Sequence, residues 1–172
     1  RGMPSNIALT GLAKDLASRR ASGKPVRIGL IGCGEMGTDI VTRAAMMDGV
    51  DVAAISELNV PNAERAVDIA HRATGHSLGV TSTDGLNVAI ENGKTAVTDN
   101  ADLILQSGLI DVVIDATGVP AVGAEIGLSA MEHGKHLVMM NVEADVTIGA
   151  YLRREADRLG VVYSLGAGDA PS

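Results

Sequence analysis

The sequence has almost no aromatic side chains: its 172 residues include no Phe, no Trp and only two tyrosines, Tyr151 and Tyr163. It therefore lacks the stacking platform with which proteins bind single-stranded nucleic acid, and the aromatic belt of a membrane protein. No apolar run reaches the roughly 18 residues that a membrane-spanning helix needs. The core must be aliphatic, built from Ala, Val, Ile, Leu and Met.

Cysteine and positive charge are also scarce. Cys33 is the only cysteine, which excludes an internal disulfide and a cysteine-rich metal site. The four histidines show no ligand spacing, so we predict no metal site in this chain. Fourteen Lys and Arg against 21 Asp and Glu give a net charge of −7, which argues against nucleic acid or a membrane as partner. The amino terminus lacks the apolar run of a signal peptide, and we expect a cytoplasmic protein.

Apolar, β-branched segments alternate with helical segments along the chain. The pattern predicts strands over residues 26–31, 50–55, 95–97, 111–115, 136–140 and 161–165. It predicts helices over residues 7–19, 36–47, 61–72, 100–106, 120–133 and 145–159. Residues 73–93 are less regular, with a loop at 74–77 and a short helix that Asp84 caps and Gly93 ends.

This alternation is typical of one α/β domain. It predicts a doubly wound parallel sheet, the Rossmann fold, of about six strands with helices on both faces. Residues 25–172 would form this domain, and residues 1–24 a leading helix. Arg1 and Gly2, ahead of Met3, are expected to be a remnant of cloning.

The turn after the first strand carries a G-x-G-x-x-G pattern from Gly32 to Gly37. A strand precedes it and a helix follows, which is the context that dinucleotide binding requires. Gly32 would permit the tight turn, Gly34 the approach of a pyrophosphate, and Gly37 close packing of the helix on the strand. Glu35 and Met36 would offer helix N-terminal N–H groups to the phosphates. The alternative is a tight turn without a ligand.

The end of the second strand bears on which dinucleotide binds. A carboxylate there hydrogen-bonds a ribose hydroxyl and selects NAD, whereas a nearby Arg accommodates the 2′-phosphate of NADP. Ser56 occupies the usual acidic position and Glu57 follows it. Ser56 can donate to a phosphate, Glu57 would repel one, and Glu57 could equally be a solvated loop charge. These residues leave the choice of cofactor open.

Two further strand ends should lie at the same edge of the sheet. The small residues Ala116, Thr117 and Gly118 leave room for a cofactor beside the point where the strand order reverses. After the next strand, Asn141 and Glu143 could face the nicotinamide and the substrate, and they are the candidate catalytic residues. Alternatively, Asn141 or Asp145 only caps the following helix, and Asp115 is a strand-end residue satisfied by backbone N–H groups.

Several stretches together resemble a known family, over nearly the whole chain. They cover residues 6–14, 28–40, 110–118, 134–149 and 164–169. They are similar to the N-terminal domain of the 1-deoxy-D-xylulose 5-phosphate reductoisomerase-like enzymes, a homoserine-dehydrogenase-like group of oxidoreductases. The resemblance implies an NADPH-dependent enzyme that converts 1-deoxy-D-xylulose 5-phosphate to 2-C-methyl-D-erythritol 4-phosphate in isoprenoid synthesis. Glu57-Leu58 departs from the Arg expected for NADP.

The resemblance also implies a longer protein, because such enzymes continue into a substrate and dimerisation domain. We therefore expect a fragment that binds the dinucleotide without turnover. The full-length enzyme would be a homo-oligomer acting on a small phosphorylated or polar substrate, where a divalent cation is plausible. The alternatives are a dehydrogenase of the same superfamily acting on homoserine or a sugar acid, and a non-catalytic nucleotide-binding domain.

Overall fold

A computed structural model describes residues 18–19 and 21–166 of the chain. In this part, seven strands form one sheet: β1 (Val26–Ile31), β2 (Val50–Ser56), β3 (Ser77–Gly79), β4 (Thr95–Thr98), β5 (Val112–Asp115), β6 (His136–Met139) and β7 (Tyr163–Leu165). Every pairing is parallel, and the spatial order is β3-β4-β2-β1-β5-β6-β7. The predicted doubly wound sheet is confirmed, and its order reverses between β1 and β5.

Helices cover both faces of this sheet. They are α1 (Glu35–Ala44), α2 (Val60–His71), α3 (Thr83–Glu91), α4 (Ala101–Gln106), α5 (Pro120–Glu132) and α6 (Val142–Leu159). One apolar cluster joins the sheet to α1 and α2 through Val41 and Val67. A second cluster joins it to the other helices through side chains such as Leu86, Met131 and Leu152. Both clusters are aliphatic, as the composition predicts.

The segment 73–93 is more regular than its sequence predicts. Ser77, expected in a loop, begins the three-residue strand β3, which pairs with β4. The cap of α3 is Ser82 and not Asp84, since the Ser82 Oγ accepts a hydrogen bond of 3.0 Å from the Gly85 N–H. Ser82 has the extended backbone that an N-cap requires, whereas Asp84 already lies in the first turn.

Other boundaries differ by a few residues. The last helix begins at Val142, three residues before the predicted Asp145, because the Asn141 side chain caps it. Helix α1 ends at Ala44 and not near Met47. The predicted leading helix, residues 7–19, lies outside the described residues except for its last two. None of the described helices combines the length and the apolar character needed to cross a membrane.

Candidate dinucleotide-binding site

A cavity of about 510 Å³ opens at the carboxyl ends of β1, β2 and β5. It lies where the strand order reverses, which is where doubly wound sheets bind their ligands. Six of the residues predicted for the cofactor site line it together: Gly32, Gly34, Ser56, Glu57, Ala116 and Thr117. The topology therefore brings three separate strand ends to one site.

The glycine turn fits tightly against its neighbours. Gly32 has a φ of +88°, and a Cβ there would lie 3.0 Å from the Ala116 carbonyl group. Its N–H donates to the Ser56 carbonyl at 2.8 Å, which fixes the turn on the end of β2. A Cβ at Gly37 would lie 2.8 Å from the Gly32 carbonyl oxygen. Gly37 thus allows the helix to close on the turn itself, and not on the strand as predicted.

Gly34 differs from these two glycines because, apart from its two chain neighbours, no described residue lies within 4 Å of the place where its Cβ would be. It is the N-cap of α1, and because it has no side chain it does not cap the first N–H groups of the helix. Glu35 and Met36 follow in the first turn, with side chains exposed outside the cavity lining. Open backbone at a helix N-terminus is a favourable place for a phosphate.

The Glu57 carboxylate is anchored on the glycine turn. Its Oε2 accepts a hydrogen bond of 2.5 Å from the Cys33 N–H, and its Oε1 accepts one of 3.2 Å from the Asn59 N–H. The predicted alternative of a freely solvated loop charge is therefore wrong for this conformation. Ser56, in contrast, is buried and meets the turn through its backbone carbonyl.

The Cys33 side chain is buried beneath the turn. Burial raises the pKa of the Cys33 thiol, a contact with the Thr38 hydroxyl opposes that rise, and the Glu57 carboxylate adds to it. The thiol is therefore neutral near pH 7, and it packs against the turn.

Among the described residues, no group of three or more His, Cys, Asp and Glu side chains could hold a metal ion.

Sequence reasoning missed the walls of the cavity. These are mainly aliphatic, with one carboxylate: Leu58, Asp99, Ala101, Val119, Val122 and Ile126. Leu58 is 91% exposed, Val119 47% and Val122 39%, so a ligand would cover apolar surface that water now contacts. Val122 and Ile126 are four residues apart on one face of α5, and Val119 is the residue that caps this helix, a spacing that could have identified them.

Asp115 lies at the end of β5 and is fully buried. Its Oδ1 accepts a hydrogen bond of 3.1 Å from the Thr117 N–H, whereas its Oδ2 has no partner in the described part of the chain. The predicted backbone satisfaction thus applies to one oxygen. Burial raises the pKa of the Asp115 carboxyl group, and the hydrogen bonds from Thr117 oppose the rise. A Cβ at Gly123 would lie 2.5 Å from Oδ2, so α5 packs directly on this group.

Asn141 performs the capping role that the sequence offered as an alternative. Its Oδ1 accepts a hydrogen bond of 3.0 Å from the Ala144 N–H, and its buried Nδ2 has no partner among the residues described. Glu143 is exposed in the first turn of α6. Six predicted site residues do not line the cavity: Glu35, Met36, Gly37, Gly118, Asn141 and Glu143.

The chain is similar to homoserine dehydrogenases in sequence. The family model described as the NAD-binding domain of homoserine dehydrogenase matches residues 32–164. A homoserine dehydrogenase of Methylobacillus glycogenes is 31% identical over 122 residues, which cover 69% of this chain and 25% of that protein. The chain thus spans about a quarter of the length of this relative.

Solved structures of oxidoreductases share the fold. A homoserine dehydrogenase from Thiobacillus denitrificans has a TM-score of 0.57 at 22% identity, covering 83% of this chain and 29% of its own. Biliverdin reductase from Synechocystis, in complex with biliverdin and NADP+, has a TM-score of 0.57 at 16% identity, with coverages of 83% and 38%. Scyllo-inositol dehydrogenase from Lactobacillus casei, with bound NAD(H), gives 0.57 at 18% identity, with coverages of 83% and 36%. At these identities the likeness establishes the fold alone.

Proposed function

The chain belongs to the family of the homoserine dehydrogenase NAD-binding domain and is an NAD(P)-binding oxidoreductase domain; on that premise we propose how it holds the dinucleotide and which reaction it serves. Gly34, at the N-terminus of α1, would hold the pyrophosphate, and Glu57 would bind the adenosine ribose. Ala116 and Thr117, ahead of α5, would hold the nicotinamide half.

The open space at Gly34 carries this proposal. A Cβ there would meet no described atom of the protein, so the fold itself does not require glycine on steric grounds. A phosphate over this position would require it, because a side chain would occupy the phosphate's place. The adjacent N–H groups of α1 add the partial positive charge that an anion needs.

The bound dinucleotide would exchange a hydride with the substrate. The residues of this chain would bind and orient it: Gly32 and Gly37 hold the turn closed, and the apolar walls would exclude water from the nicotinamide once it is bound. The Asn141 amide, with its unpartnered Nδ2, is a candidate to donate a hydrogen bond at the same edge of the sheet. Glu143 and Gly118 stay candidate contacts of the substrate and cofactor.

For the reaction, we propose the reductive isomerisation of 1-deoxy-D-xylulose 5-phosphate. The resemblance over residues 134–149, which surround the α6 cap, supports it. The relatives are three to four times as long as the matched segment. The phosphate-binding and proton-transferring groups would come from the rest of the protein, along with any divalent cation. We therefore expect the 172 residues alone to bind nucleotide without turnover.

Homoserine oxidation is the second candidate, because the family match and the 31% identical relative both point to homoserine dehydrogenases. The full-length protein separates the two reactions. Consumption of NADPH with 1-deoxy-D-xylulose 5-phosphate would support the first, and reduction of NADP+ or NAD+ with homoserine would support the second. If the full-length protein binds the dinucleotide but shows neither activity, both assignments are refuted and a non-catalytic role is favoured.

Titration of this chain with NADPH and NADH tests the dinucleotide proposal itself. Quenching of nicotinamide fluorescence or calorimetry should give saturable binding of at least one of them. No saturable binding of either nucleotide would refute the proposal.

A further inference from the structure

A second cavity adjoins the dinucleotide cavity. It has a volume of about 260 Å³, lies between α1 and α2, and shares the lining residues Cys33 and Gly34 with its larger neighbour. Glu35 and Thr38 line it from α1, and α2 contributes Asn62 and Arg65. The glycine turn is therefore a wall common to both cavities.

Arg65 is the only cationic side chain that lines either of these two cavities in the described structure. It is exposed on α2 and forms no ion pair with the residues described. Asn62 precedes it by one helical turn on the same face and lines the same cavity. A guanidinium and an amide thus face a space that a ligand on the glycine turn could reach.

The Glu57 anchor places the ribose next to this space. Its carboxylate binds the Cys33 N–H, so a ribose that hydrogen-bonds Glu57 lies against the turn that forms the shared wall. A group on the ribose 2′ carbon that turns away from Glu57 would point over Cys33 and Gly34 towards α2. Two backbone N–H groups already engage Glu57, which reduces its repulsion of a nearby anion.

We propose that Arg65, assisted by Asn62, receives the 2′-phosphate of NADPH and determines the specificity of this domain for the phosphorylated dinucleotide. This inference rests on the dinucleotide function proposed above. The planar guanidinium can donate two parallel hydrogen bonds to a phosphate, and the Asn62 amide can donate a third. Arg65 would then supply from the second turn of α2 the positive charge that is absent from the residues directly after β2.

The test compares Arg65→Gln with Arg154→Gln, a matched loss of one exposed positive charge on α6, outside both cavities. Both variants and the wild type are titrated with NADPH and NADH. Arg65→Gln should weaken NADPH binding about tenfold, the lower range for charge-assisted hydrogen bonds. It should leave the affinity for NADH within about twofold of the wild-type value, because NADH has no 2′-phosphate. Arg154→Gln should change the affinity for neither nucleotide.

Fragments isolate the same contact without any mutation. Adenosine 2′,5′-bisphosphate should bind the wild type about tenfold more tightly than 5′-AMP, and Arg65→Gln should remove that difference. Equal binding of the two fragments to the wild type would overturn the inference even if the variant failed to fold. The inference would also be overturned if Arg65→Gln weakened the binding of NADH and NADPH equally, or if it weakened the binding of neither.

The outcome for the wild type separates this inference from the proposed function. Saturable binding of NADH without NADPH would refute the role of Arg65 and leave the dinucleotide function intact. Binding of neither nucleotide would refute the dinucleotide function, and the role of Arg65 with it.

Discussion

Replacing Gly34 by Ala should separate ligand binding from folding. The backbone there is extended, with φ −82° and ψ −153°, and the added Cβ would meet no described atom within 4 Å. Alanine should therefore keep the fold and stabilise it by about 0.4–1 kcal/mol, because it restricts the unfolded chain. The same methyl group would stand where the pyrophosphate lies. An overlap of this kind costs about 1–3 kcal/mol, so affinity should fall roughly five- to 150-fold.

Gly108→Ala is the matched control. Gly108 also has open space around its Cβ position and no positive φ, but it lies outside the dinucleotide cavity. Urea unfolding should show both variants at least as stable as the wild type, and only Gly34→Ala should bind NADPH or NADH more weakly. Wild-type affinity in Gly34→Ala would refute the placement of the pyrophosphate. A stability loss beyond about 1 kcal/mol would refute the description of Gly34 as free of steric contacts.

Three further substitutions address the polar groups of the site. Asn141→Ala should destabilise the domain by about 1 kcal/mol through loss of the helix cap, while Asn141→Asp retains the cap and replaces the amide donor by a carboxylate; unchanged nucleotide and substrate affinity in Asn141→Asp would show that Asn141 is a cap alone. Burial raises the pKa of the Asp115 carboxyl group in the folded protein above its ordinary value of 3.8. The protonated carboxyl group therefore contributes fully to stability below pH 3.8, and this contribution is lost as the pH rises through the raised pKa of the folded state. The unfolding free energy of Asp115→Asn relative to wild type should therefore increase from about pH 4 to about pH 7, and a flat difference would contradict this. Glu57→Gln should shift the ratio of NADPH to NADH affinity towards NADPH, since it removes a negative charge beside the ribose; an unchanged ratio would place the ribose elsewhere.

The sequence predicts those strands that carry their own signal. The run from Val26 to Ile31 is apolar except for Arg27 and Gly29, is followed by glycine and forms β1 with the predicted bounds. Strand β3 has only three residues, with Leu78 as its one large apolar side chain. Hydrogen bonds to β4 define it, and a partner strand distant in sequence leaves no local pattern. The early start of α6 is a similar case, because either Asn141 or Asp145 can cap a helix and only the backbone decides between them.

The site divides in the same way between local and long-range signals. The glycine turn is predictable because its G-x-G-x-x-G pattern is local in the sequence, even though Gly32 itself contacts Ser56 and Ala116 on other strand ends. The walls of the cavity are not, because Asp99 and Val119 approach the turn only through the strand order of the sheet. No sequence motif points to Arg65, because it lies on α2 and not directly after β2, where an Arg for NADP is expected.

The scarcity of aromatic residues determines where selectivity can reside. This chain has no Phe or Trp, so in the proposed binding mode its contacts with the adenine and nicotinamide rings would come from aliphatic side chains such as Leu58, Val119 and Val122. Burial of such surface stabilises by about 25 cal/mol per Å² without any preferred direction, so it favours NADH and NADPH equally. The two dinucleotides differ only in one phosphate. If the dinucleotide binds as proposed, discrimination therefore depends on the charged groups near the ribose, among them Glu57 on one side of the glycine turn and Arg65 on the other.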